Sequence, residues 1–88
     1  MNYGIEIKTT LIADNGKRFN VGQDISFTML DEKTNTHEKY IGNIRRIDDD
    51  SMIIDHIEIN RRQFPNAICM KIYFTEIDKN SCNYVSVD

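Results

Sequence analysis

The sequence predicts an all-β fold: a small, strongly bent antiparallel barrel of roughly five to seven strands, formed by residues 1–88 as one domain. Three observations predict it. The apolar content rests on fourteen isoleucines, whose branched side chains are stiff in helices and suit a pleated, half-buried surface. Apolar residues alternate with polar ones in short runs separated by turn signals, and no long run has a 3.6-residue period. The central stretch from Tyr40 to Asn60 places two isoleucine-rich arms around an acidic turn, and both arms break the two-residue alternation at the same level.

The elements follow in order. From Tyr3 to Ile12, the residues Tyr3, Ile5, Ile7, Thr9 and Leu11 share one face, as in a half-buried strand. Asn15-Gly16 then marks a hairpin turn, because both residues tolerate positive φ. The return strand carries Phe19 and Val21, Gly22 ends it, and Ile25, Phe27 and Met29 define a third strand. Asp31 to Glu38 is polar and aperiodic, and is expected to be an exposed loop.

In the central hairpin, a four-residue loop from Asp49 to Met52 sets Ile44 opposite Ile57, Ile47 opposite Ile54, and Arg46 opposite Asp55 in a cross-strand ion pair. His56 then faces Arg45. Strands that change face together imply a sharp bend, as where a long strand serves both halves of a small barrel. Arg61 to Ala67 contains the only proline and is expected to be a connection with at most a 3₁₀ turn. Ile68 to Thr75 alternates cleanly. Ile77 is expected to plug the core from a polar turn, and Tyr84 to Val87 to form a short closing strand.

The residues Gly42, Ile44, Ile47 and Asp48 resemble the first motif of Sm-like barrels, where Gly-x-hydrophobic-x-x-hydrophobic-Asp marks a strongly bent strand. Val21 to Phe27 is similar to the opening strand of SH3-like barrels. The resemblance implies an SH3-like or Sm-like fold. It does not carry RNA recognition with it, because Asp50, Ser51 and Met52 stand where the Sm-like RNA-reading Asn is expected. Ile77-Asp78-Lys79-Asn80 also departs from the second Sm-like motif.

Eleven basic and fourteen acidic residues give a net charge of −3, which disfavours non-specific attraction to phosphate backbones. No leader-like segment and no stretch of about 18 apolar residues appears, so a cytoplasmic protein with no membrane partner is expected. Cys69 and Cys82 are expected to be free thiols, one of them a small core residue.

No cofactor, metal or catalytic residue is expected. Asp48-Asp49-Asp50 lacks the alternation of a calcium loop. His37, His56, Cys69 and Cys82 lack the paired spacing of a zinc site, and the four glycines are too scattered to cradle a phosphate.

The expected function is a non-enzymatic interaction module that binds a protein partner or itself through a strand edge or the segment Asp31 to Glu38. The alternative is a nucleic-acid-binding barrel. In that reading Lys39, Tyr40, Arg61 and Arg62 meet at the open end of the central hairpin, with Arg45 and Arg46 adding charge and Tyr73 and Phe64 offering stacking surfaces. The candidate contact residues are therefore Lys39, Tyr40, Arg45, Arg46, Arg61 and Arg62.

Overall fold

A computed structural model describes residues 8–64 and 69–85. Its strands are β1 (Thr10–Ile12), β2 (Arg18–Asn20), β3 (Asp24–Asp31), β4 (Thr36–Ile47), β5 (Ser51–Ile59), β6 (Arg62–Gln63), β7 (Met70–Tyr73) and β8 (Asn83–Tyr84), with a 3₁₀ turn at Phe74–Glu76. The fold is all-β and antiparallel. β1 and β2 form one sheet; the other runs β6-β5-β4-β3-β8, with β7 also paired to β5. Among the described residues neither sheet closes on itself, and an isolated bridge from Lys8 to Ile47 links the two. Tyr3, Ile5 and Ile7 of the expected first strand, and Pro65, Ile68, Ser86 and Val87, lie outside the described residues.

The first hairpin turns at Asn15-Gly16 as the sequence predicts. Gly16 has φ 85°, its N–H donates to the Ala13 carbonyl at 2.9 Å, and the Asn15 side-chain oxygen accepts the Lys17 N–H at 3.1 Å. Phe19 is fully buried, whereas Val21, expected on the return strand, lies past the end of β2 and is exposed. β3 buries Ile25 and Phe27 on one face, and Met29 packs against the same core.

The expected loop from Asp31 to Glu38 is instead the distal part of the β3–β4 hairpin. Asp31 pairs with Thr36 and Met29 with Glu38, leaving only Glu32 to Asn35 as the turn. Asn35 supplies the left-handed residue there at φ 55°. Backbone pairing continues outward past the core because polar side chains on exposed strand positions need no buried partner.

The ladder of the central hairpin is irregular where both arms break period, and its register differs from the expected one. Ile44 pairs with Ile54 and Ile47 with Met52, with ladder irregularities between Ile41 and Asn43 and between Ile44 and Arg46. Counting along the strands puts the extra residue first on β5, at His56–Ile57, and then on β4, at Arg45. His56 is left-handed at φ 51°, which absorbs the first bulge. The turn is Asp48 to Ser51, closed by the Asp48 N–H on the Ser51 carbonyl at 2.8 Å. Met52, expected in the loop, is a fully buried core residue.

The same shift overturns the expected Arg46–Asp55 pair and the facing of His56 and Arg45. Arg45 pairs with Asp55, and Arg46 lies opposite Ile53. Ile44, Ile47, Met52, Ile54 and Ile57 are all buried here. Each contributes about 1.5–3 kcal/mol when removed from water, which makes this hairpin the largest part of the apolar core among the described residues.

The rest of the chain covers its edges. The expected connection from Arg61 to Ala67 differs in its described part, where Asn60 and Arg61 form a two-residue loop with both φ positive, 51° and 69°, returning β6 onto β5 through Ile59↔Arg62. β7 buries Ile72 against the core. Phe74 does not continue the strand: its N–H donates to the Asp50 carbonyl at 3.0 Å and its carbonyl accepts from Ile77 at 3.2 Å, so the chain turns there. Ile77 packs on the core and bridges to Met29, as expected of a plug. β8 pairs with β3 through Ile25↔Tyr84.

Candidate functional site

The structure divides the six expected contact residues among four places. Alternation on β4 puts Lys39 and Tyr40 on opposite faces. Lys39 and Arg61 line one groove of about 670 Å³ with Ser26, Ile41, Glu58 and Tyr84. The backbone at Lys39 is fixed by Asn60, whose side-chain oxygen accepts the Lys39 N–H at 2.9 Å and whose N–H donates to the Lys39 carbonyl at 2.8 Å. Arg62 lines a separate hollow with Glu38, Ile59, Asn60 and Phe64.

Tyr40 is half-buried, with its ring stacked on Phe27 at 5.6 Å between centroids. Burial, followed by the carboxylates of Glu38, Asp31 and Glu76, raises its phenol pKa. Arg45 and Arg46 lie toward the acidic turn, Arg45 at 3.1 Å from Asp55 and Arg46 at 3.0 Å from Asp48. Tyr73 is also near that turn, paired with Ser51, with Lys71 over its ring at 5.1 Å. The residue that joins Lys39 and Arg61 is instead Tyr84, brought there by the long-range pairing of β8 with β3.

A second concave feature is more apolar. Leu11, Ile12 and Ala13 form one wall, Phe74 and Ile77 the other, and the buried Cys82 also lines it, in a cleft of about 350 Å³. Asp14, Asp78 and Lys79 stand at its margin. Leu11 and Ile12 point to opposite faces of β1, so a cleft that both of them line runs along the strand's edge. Ile12 is 59% exposed, the most exposed of the large apolar side chains among the described residues. It reads from sequence as one more strand residue; no local signal marks it, because the facing wall comes from residues more than sixty positions away.

The margin is rigidly built. The Asp14 carboxylate accepts the Asn80 N–H at 3.0 Å, and the Asn15 side-chain amide donates to the Cys82 carbonyl at 2.8 Å. Asp78 accepts the Thr28 hydroxyl at 2.6 Å and lies 2.6 Å from His37 Nδ1. The Thr28 hydroxyl and then His37 hold the Asp78 carboxyl below its ordinary pKa.

Cys69 is exposed, Cys82 is buried, and both are unbonded. Burial, then the Asp14 charge, pushes the Cys82 thiol pKa up, which takes it away from the thiolate form a nucleophile needs. Among the described residues no cluster of three or more His, Cys, Asp or Glu side chains is placed to hold a metal ion. Among them, too, no helix is long and apolar enough to cross a membrane. No protein family matches the chain, and neither a curated protein nor a solved structure matches it.

Proposed function

We propose that the chain is a non-enzymatic interaction module on a small SH3-like or Sm-like barrel, acting in the cytoplasm, and that it binds a protein partner through the cleft between β1 and the 3₁₀ turn. The observation that carries this reading is the exposed apolar wall of Ile12 facing Phe74 and Ile77, since an apolar concavity with a few polar groups at its rim is the usual form of a binding site. The barrel reading is supported by the paired bulges that bend β4 and β5 together and by the Lys8–Ile47 bridge between the two sheets. An exposed Cys69 thiol suits a reducing compartment.

A photo-crosslinking residue at position 12, with position 45 as the control, tests the reading in the cell that makes the protein. Partner binding gives a protein adduct from position 12 and none from position 45. Equal yields at both, or an adduct removed by nuclease, would count against it.

Nucleic-acid binding is the second reading, and the groove that joins Lys39, Arg61 and the exposed Tyr84 favours it. It requires affinity for single-stranded oligonucleotides that falls with salt and is lost on Lys39→Ala with Arg61→Ala. The ion pairs of Arg45 and Arg46 and the net charge of −3 weigh on the other side.

A further inference from the structure

The cleft's own backbone specifies what kind of partner fits it. The Val21 N–H donates to the Thr9 carbonyl at 3.0 Å and the Ala13 N–H to the Lys17 carbonyl at 2.9 Å. In an antiparallel pair, residues alternate between facing the partner strand and facing away, so residues 9, 11 and 13 face β2 while Thr10 and Ile12 direct their N–H and C=O groups outward. The opposite strand agrees. The Asn20 N–H goes to the Gln23 side chain at 3.0 Å and the Arg18 N–H to the Tyr84 hydroxyl at 3.2 Å, both away from β1. Among the described residues the outward groups of Thr10 and Ile12 have no backbone partner.

That edge is also unguarded. Thr10-Leu11-Ile12 has neither a charge nor a proline, whereas the outer edge of β7 carries Lys71, the kind of residue that blunts an edge against pairing.

The opposite wall restricts the occupant further. Residues from Phe74 to Lys79 stand across the cleft, so a strand added to β1 would have that wall, and not a further strand, on its far side. β1 of a second copy carries β2 on its other edge and would meet that wall. At the margin, two carboxylates, Asp14 and Asp78, stand against one cation, Lys79.

We infer that the cleft takes a single extended segment of another protein, added as a strand to the outer edge of β1, with an apolar side chain between Leu11, Phe74 and Ile77 and a basic residue beside it. This rests on the cleft being the contact surface and adds the mode of recognition, strand addition, in which backbone bonds supply affinity and alternate side chains supply selectivity.

The probe is a capped peptide of alternating valine and threonine with a lysine at each end, titrated into the isotopically labelled full chain while amide exchange is followed by NMR. Strand addition slows exchange at the outward amides of Thr10 and Ile12 and leaves Leu11, already bonded to β2, unchanged. Thr10→Pro removes one outward N–H without altering the cleft's side chains, and proline is tolerated at such an edge position. It weakens binding about tenfold. Should that variant not fold, a peptide N-methylated at its central residue makes the same test on the wild-type chain.

Binding that is lost in Ile12→Glu but indifferent to both Thr10→Pro and N-methylation would keep the cleft and overturn strand addition. No shifts at the cleft up to about 1 mM peptide overturn strand addition as well, and leave the cleft to the position-12 crosslink. Protection of Thr10 and Ile12 that appears without peptide as protein concentration rises would assign the edge to a second copy and overturn the inference.

Discussion

Two residues show how backbone geometry constrains this sequence. A Cβ on Gly42 would lie 2.9 Å from Ile54 Cβ and 2.7 Å from Ile54 Cδ1, closer than van der Waals contact allows, at the level where β5 bulges. Gly42 is therefore required for close approach of the strands and not for unusual φ. Gly42→Ala is expected to destabilise the fold by about 1–3 kcal/mol in urea denaturation. A loss below about 0.5 kcal/mol would mean that the bulge yields.

Arg61 is the opposite case. It occupies the second position of a two-residue hairpin loop at φ 69°, where glycine is preferred. Arg61→Gly is expected to stabilise by about 0.5–1 kcal/mol, and Arg62→Gly, within β6, to destabilise. A fall in urea midpoint for Arg61→Gly would show that its side chain contributes more than its backbone costs. Gly42 was legible as part of a bent-strand motif. The strain at Arg61 was not, because the segment from Arg61 to Ala67 has no apolar period to announce a strand after the turn.

At the scale of elements, the sequence located strands well and registers poorly. Alternation made β3 and β7 visible, and Asn15-Gly16 made the first turn visible. The central register differs from the expected one because Met52, expected in the loop, is a core residue. With Met52 in the core, Ile47 pairs with Met52; the bulge at Arg45 then sets Ile44 opposite Ile54, and the bulge at His56–Ile57 restores the offset beyond it. The stretch from Asp31 to Glu38 carries no strand signal because the outer half of the β3–β4 hairpin has no core to face, so periodicity has nothing to report there.

That outer half carries two acid-sensitive contacts. Asp78 ties the segment after the 3₁₀ turn to β3 and β4 through the Thr28 hydroxyl and His37, and its pKa is depressed below the ordinary 3.8. A depressed carboxyl contributes stability that is present above the unfolded pKa and lost as pH falls through the folded one. Asp78→Asn is expected to flatten the decline in urea midpoint below about pH 4; an unchanged acid slope would contradict this.

Glu38 behaves in the opposite sense. Its carboxyl meets that of Asp31, diagonal to it across the two strands, and the hydrogen bond to Asp31 raises its pKa above 4.5. Stability from the protonated form is present below the unfolded value and lost as pH rises through the folded one. Glu38→Gln keeps a donor toward Asp31 without needing that proton. It is expected to raise the melting temperature at pH 7 and to have no effect near pH 3.5.

At the scale of the whole molecule, the two sheets are unequal partners. The β4–β5 hairpin has neighbours on both sides and, among the described residues, most of the buried isoleucine. The β1–β2 hairpin has three residues per strand, and a two-stranded hairpin alone is marginal in water. It is held by the fully buried Phe19, whose ring meets Tyr84 at 4.9 Å, by Asn15 on the Cys82 carbonyl, and by Lys17 on the Asn83 side chain at 2.7 Å. All three attachments reach the last segment of the chain. None was legible in the sequence, since they join residues more than sixty positions apart, and the cleft lies along the same seam.

Local opening follows the weaker set of contacts, so the β1–β2 hairpin is expected to release its amides before the central sheet does. Phe19→Leu trims the anchor while keeping it apolar. The variant is expected to speed native-state hydrogen exchange at the bonded amides of Leu11, Ala13 and Val21 more than at those of Ile44 and Ile54. If all five accelerate by the same factor, the hairpin opens only with global unfolding and the two sheets form one cooperative unit. Selective acceleration would instead make the wall that carries Ile12 a separately adjustable element, able to shift against Phe74 and Ile77 as an extended partner enters.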